Sequence, residues 1–370
     1  MKREANFEIL RVLAMFFIVA WHFIVHGTLH VLTSDTIPIC QINLFQSVAN
    51  WIIIEYFTYL TAVGVNCYVL ISGYFLVKSD FKLNKVVKIW FQTLFYSIGI
   101  YVILTCTGVI NFDIKSFVLS GLVIRGNTYW FVTQYMALLL LSPFLSKLAL
   151  SLTKQKFQLL LLVLFIINVS LNFGFPYGDI YSSPVNISWF IFLFYIAAYI
   201  RLFNPFAQQR FKYGKYYLVF CFILLICYLL YEYSLYHWKG MNISYRSSPA
   251  YNGYTFFSSI LLFLWAKHHS FKDNILYRFV VRLAPYTFGV YLIHDNPYIR
   301  TLLWEHWLIP SKYIDTWFLL PVMLLSVISI YLICTFLDYL RAKLFLLLSI
   351  SKKINIMSEK ILSIQSKYIK

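Results

Sequence analysis

The chain has 370 residues, of which 61% are hydrophobic and only 12% charged, with a formal net charge of +17. Soluble domains are charged at roughly a quarter of their positions, so an ordinary soluble domain is excluded. The positive charge therefore has to be read by its position along a membrane chain, not as a nucleic-acid footprint.

Apolar windows long enough to cross a hydrocarbon core recur at residues 9–25, 58–77, 86–107, 129–148, 157–173, 187–203, 216–236, 254–266, 283–294 and 316–340. They predict an all-α polytopic membrane protein with about ten transmembrane helices. An open sheet would leave backbone groups unpaired in lipid, and no alternating barrel pattern is present. Residues 26–57 carry no clear span. The first window follows Met1-Lys2-Arg3 and so imitates a signal peptide. Arg11 and His22 interrupt its apolar run and no small-residue cleavage site follows, so it counts as the first span.

A cytoplasmic N-terminus puts only Lys115, Arg125, Lys239, Arg246, Arg300 and Lys312 outside, and the remainder of the 31 Lys and Arg residues inside. That is the positive-inside pattern, with both termini cytoplasmic. Residues 1–348 then form the membrane domain. Residues 349–370, which mix lysines with Ile354, Ile356, Ile361, Leu362 and Ile364, form a basic amphipathic tail on the anionic inner leaflet. The six cysteines lie mostly in apolar runs without CxxC or metal-ligand spacing and read as small buried hydrophobes. No internal repeat is evident, which disfavours a transporter built from duplicated halves.

Ionisable groups inside spans carry the functional information, because they are costly in lipid unless they serve a pocket. His22 follows Arg11 by 11 residues, roughly 16 Å along a helix and close to the same face. It either lines a pocket or bonds a neighbouring helix. His26 stands four residues further on, yet the sequence offers no evident third ligand, so no metal is expected. His294 lies 12 residues past Arg282, at a similar depth to His22, and reads equally as a second pocket imidazole or a helix-interface residue. Glu55, Asp295 and Glu305 fall at or beyond the outer ends of spans, and one of them could orient a histidine. Ser72-Gly73 permits close packing or close approach of a ligand. Lys82, Lys85 and Lys88 serve topology or hold phosphates, and Trp130 sits at the outer interface.

Four pieces in this order resemble the membrane acyltransferase-3 family, bacterial integral-membrane O-acyltransferases of cell-surface glycans. They are Arg11 with His22; Val69-Leu70-Ile71-Ser72-Gly73-Tyr74-Phe75-Leu76; Tyr129-Trp130-Phe131 leading to Leu141-Ser142-Pro143; and Tyr291-Leu292-Ile293-His294. The resemblance implies transfer of an acyl group, usually acetyl, from a cytoplasmic acyl-CoA to a hydroxyl of an envelope polysaccharide or its undecaprenyl-linked precursor. The protein would then act in exopolysaccharide biosynthesis at the bacterial cell membrane, with membrane lipids around it and no nucleic-acid partner. It implies His22 as the catalytic residue and Arg11 as a binder of the acetyl-CoA donor. Members often carry an Arg-x-x-Arg pair after the Ser-Gly motif, where this chain has Lys85 and Lys88, which lack Arg's bidentate fork. Ser72, Trp130, Tyr291 and His294 are the candidate substrate-binding residues. A polysaccharide flippase or exporter is the alternative.

Overall fold

The computed structural model describes residues 4–28, 45–123, 129–169, 186–206, 212–239 and 253–368. Cys40, Arg125, Arg210, Arg246 and the end of the fifth window at 170–173 lie outside them, as do residues 1–3. The helices are α1 (Ala5–His22), α2 (Phe45–Thr61), α3 (Gly64–Leu76), α4 (Leu83–Cys106), α5 (Ile114–Gly121), α6 (Trp130–Ser151) and α7 (Lys154–Asn168). They continue with α8 (Ile187–Phe203), α9 (Tyr213–Lys239), α10 (Gly253–His268), α11 (Ile275–Leu283), α12 (Thr287–His294), α13 (Pro297–Thr301), α14 (Leu319–Leu347) and α15 (Ile350–Tyr368). No strand is present among the described residues.

Among the described residues, six helical stretches are long and apolar enough to cross a membrane, and Ile187–Phe203 is a shorter apolar helix. The remaining windows contain helices of 15, 16 and 8 residues, namely α7, α10 and α12. Residues 45–57, outside every predicted window, are helical as part of α2, which with α3 makes a candidate span over Val48–Leu76. Its polar residues masked it. Asn50 turns inward and its Nδ2 donates to the carbonyls of Ile314 at 2.6 Å and Thr316 at 2.8 Å, while Glu55 is buried. Polar side chains directed at protein rather than lipid lower the hydropathy of a window without preventing it from spanning.

Local signals set several helix ends. Asp113, Thr153, Asn186, Asn274 and Asn296 each cap a helix with a side-chain oxygen, satisfying a donor that the helix cannot. Asn204 ends α8 in the left-handed region at φ 40°, a conformation asparagine tolerates better than most residues.

Helix α1 is the hub, packed against α2, α3, α10, α11, α12 and α14. Two glycines of α3 set its close crossings. A Cβ on Gly64 would lie 2.7 Å from the carbonyl oxygen of Ala14 in α1, and one on Gly73 would lie 2.8 Å from the Phe194 backbone in α8. On the far side, Asp338 of α14 accepts from Arg341 Nε at 2.8 Å, Tyr96 OH at 2.8 Å and Gln92 Nε2 at 3.1 Å. This charge is paired and hydrogen-bonded, the condition for burying it, and it ties α4 to α14. The tail helix α15 packs on α4 and α14, with Asn84 Nδ2 donating to Asn355 Oδ1 at 3.0 Å.

Candidate functional site

Four helix ends converge on one place. His22 is the last residue of α1, His294 the last of α12, and α3 and α6 begin beside them at Gly64 and Trp130. After His22 the chain continues as a π-helical turn, Phe23–Thr28, a geometry found mostly in single turns and frequently at functional sites. That turn carries His26, whose ring centroid is 5.2 Å from that of His22.

His22 Nδ1 lies 2.9 Å from His294 Nε2, and His294 Nδ1 lies 2.6 Å from the carbonyl oxygen of Val290. A carbonyl can only accept, so His294 Nδ1 carries the hydrogen. For neutral rings, His294 Nε2 is then an acceptor, and His22 Nδ1 donates to it. The unprotonated basic nitrogen of His22 is therefore Nε2. Asp295 Oδ1 is 3.6 Å from His22 Nδ1 and 3.5 Å from Arg300 Nη1. Behind this group, Asn296 Nδ2 donates to Tyr129 OH at 2.9 Å, and Tyr129 OH donates to the Leu292 carbonyl at 2.9 Å. These bonds fix the start of α6 to the end of α12.

The His22 ring lines two cavities. One, of about 160 Å³, is bordered by Trp21, His22, His26, Trp130, Asp295 and Arg300, together with the first turn of α3. The other, of about 30 Å³, is bordered by Met15, His22, Tyr68, Trp130, Phe131 and Tyr291. Neither α3 nor α6 has a side-chain N-cap, so both present a positive helix end to the larger cavity.

His294 lines neither cavity: its fully buried ring bonds His22 across the contact of α12 with α1, the helix-interface position. One expectation changes. His26 and His22 do have a third potential ligand, because Asp295 comes within 4.8 Å of both when each offers one atom. The reason is tertiary: Asp295 caps α12, some 270 residues away in sequence. The charge that a cation would supply to Asp295 is supplied in this arrangement by Arg300.

The other candidates are placed as follows. Trp130 lines both cavities and Tyr291 the smaller one. Ser72 Oγ donates to the Tyr68 carbonyl at 2.9 Å and lies 3.0 Å from Tyr135 OH, so it joins α3 to α6 while Gly73 makes the α8 crossing. Arg11 is ion-paired with the buried Glu8, and its carbonyl accepts from Tyr68 OH at 3.0 Å. Lys85 and Lys88 are exposed on the first two turns of α4. Sequence reasoning missed Tyr129, Asn296 and Arg300 as site residues. Arg300 had one signal, as one of six basic residues outside the positive-inside pattern.

The model of an acyltransferase domain, acyltransferase-3, matches residues 4–337, and the chain belongs to that family. No curated protein and no solved structure matches it. The protein is a multi-pass, all-helical membrane acyltransferase.

Proposed function

We propose that this protein moves an acetyl group from a cytoplasmic acyl-CoA to a hydroxyl of a cell-surface or undecaprenyl-linked polysaccharide, with His22 as general base. The observation that carries this reading is the single imidazole bordering both cavities, with Nδ1 held by His294 and Nε2 left basic. The basic-residue distribution supports ten spans, both termini in the cytoplasm and the larger cavity on the outer side of a bacterial cell membrane.

The chemistry divides between the cavities. An acceptor hydroxyl in the larger cavity meets His22 Nε2, which removes its proton as the oxygen attacks the thioester carbonyl. The imidazolium formed lies beside Asp295, whose carboxylate offsets the new charge. The first turns of α3 and α6 and the Arg300 guanidinium put positive potential where the oxyanion develops. When the carbon–sulfur bond breaks, His22 returns the proton to the departing thiolate, so the histidine ends as it began. The smaller cavity, about 30 Å³ and walled by Met15, Tyr68, Phe131 and Tyr291, suits a short acyl tail and supports acetyl over long chains. Arg11, about 16 Å from His22 along α1, marks the side from which the donor enters, with Lys85 and Lys88 as further candidates for its phosphates.

The test is a strain lacking the gene, complemented with the wild-type or His22→Ala chain, with acetyl content of surface glycan read by mass spectrometry. Acetylation restored by the wild type and absent with a normally inserted His22→Ala protein is expected. Full acetylation by that variant would overturn the reading and favour transport.

A further inference from the structure

We propose that the pocket between the cytoplasmic ends of α9 and α10 binds the phosphate headgroup of an anionic phospholipid of the inner leaflet. The acyl-transfer reading makes no use of this pocket, and the inference draws on that reading only for the orientation of the chain.

The pocket measures about 270 Å³ and is lined by Lys212, Lys215, His268 and His269, with Tyr213, Gly214 and Trp265 completing it. None of these is a carboxylate. Gly214 is required at the contact of the two helices, because a Cβ there would lie 2.8 Å from Trp265 Cδ1. The Tyr213 ring stacks on His268 at a centroid separation of 5.6 Å, and Trp265 packs against His269 at 5.5 Å. Asn6 Nδ2 donates to the His269 carbonyl at 2.8 Å and fixes that wall to α1. Burial and then the neighbouring Lys267 hold His268 below the ordinary imidazole range, so Lys212 and Lys215 carry the pocket's positive charge. The first turn of α9 adds its own positive potential. Basic pockets between membrane-spanning helices on the cytoplasmic side are the recognised geometry for anionic lipid headgroups.

Two features select a lipid over a soluble phosphate such as the nucleotide end of the acyl donor. First, Leu218, Val219 and Phe222, in the next turns of α9, are exposed and offer acyl chains a surface continuous with the headgroup pocket. Second, Asn6 and His22 are 16 positions apart on α1, about 160° around the helix. The wall of this pocket thus meets the face of α1 turned away from His22. A nucleotide bound there would have to carry its thioester around α1. A lipid phosphate bridging α9 and α10 would also fasten the least buried of the six candidate spans.

The test uses the full chain in nanodiscs of phosphatidylcholine, alone or with phosphatidylglycerol or cardiolipin, reading thermal unfolding and lipid retained in native mass spectra. Each basic residue near an anionic surface contributes about fivefold in affinity, so a Lys212→Gln, Lys215→Gln double variant should bind anionic lipid about 25-fold more weakly and lose its stabilisation. A Lys154→Gln, Lys156→Gln double variant removes equal charge from exposed positions elsewhere on the proposed cytoplasmic side and should keep both. Equal losses in the two would reduce the effect to general surface attraction and overturn the site. Competition by inorganic phosphate or CoA at concentrations that leave the control unchanged would reassign the pocket to a soluble phosphate. If the pocket variant fails to fold, a photoactivatable phosphatidylglycerol on the wild-type chain decides: labelling of residues 212–222 and 265–271 supports the site, and its absence there refutes it.

Discussion

The bond between His22 and His294 makes the sharpest prediction. Replacing His294 by Phe keeps a ring in a fully buried position and so avoids the cavity cost of an alanine, while removing the acceptor that fixes the His22 tautomer. A neutral hydrogen bond contributes about 0.5–1.5 kcal/mol, or about two- to twelvefold in the share of His22 carrying its hydrogen on Nδ1. His294→Phe should slow acyl transfer by about that factor. His22→Ala should slow it by roughly a hundred- to ten-thousandfold, the usual contribution of a positioned general base. If His294 acts only through His22, the two losses do not add: in the His22→Ala background, His294→Phe should cost almost nothing further. Rates of thiol release from acetyl-CoA by purified protein, normalised to folded protein, give the four corners of the cycle. An equal penalty for His294→Phe in both backgrounds would refute the positioning role and make His294 an independent packing residue.

Asp295→Asn should reduce kcat with little change in KM for the acceptor, because the carboxylate is worth most once His22 is protonated; an unchanged kcat would remove it from the mechanism. Met15→Ala opens the smaller cavity and should raise turnover of propionyl-CoA relative to acetyl-CoA, measured by competition between the two donors, at a stability cost of about 2–5 kcal/mol. Gly73→Ala puts a Cβ 2.8 Å from the Phe194 backbone and should destabilise the α3–α8 contact by about 1–3 kcal/mol, seen as a lower unfolding temperature in detergent. For topology, an impermeant thiol reagent applied from outside should label Glu305→Cys and miss Asp80→Cys on a cysteine-free background, both positions being exposed; the reverse would invert the chain.

The sequence determined that this is a helical membrane protein, because its apolar windows and the sided distribution of its lysines follow from lipid solvation and require no knowledge of packing. It also marked His22 and His294 as costly groups at matching depth, and it carried the ordered motifs of the family. Residues 45–57 escaped it, since hydropathy reads Asn50 and Glu55 as polar without knowing that they turn inward. The partner of His22 was likewise beyond it: Glu55, Asp295 and Glu305 all lay near span ends, and only the meeting of α1 with α12 brings Asp295 to 3.6 Å. Tautomer, cavity walls and converging helix ends belong to the tertiary structure for the same reason. They are properties of groups hundreds of residues apart, and local patterns fix where a helix starts and what it is made of, but not which other helix end it will meet.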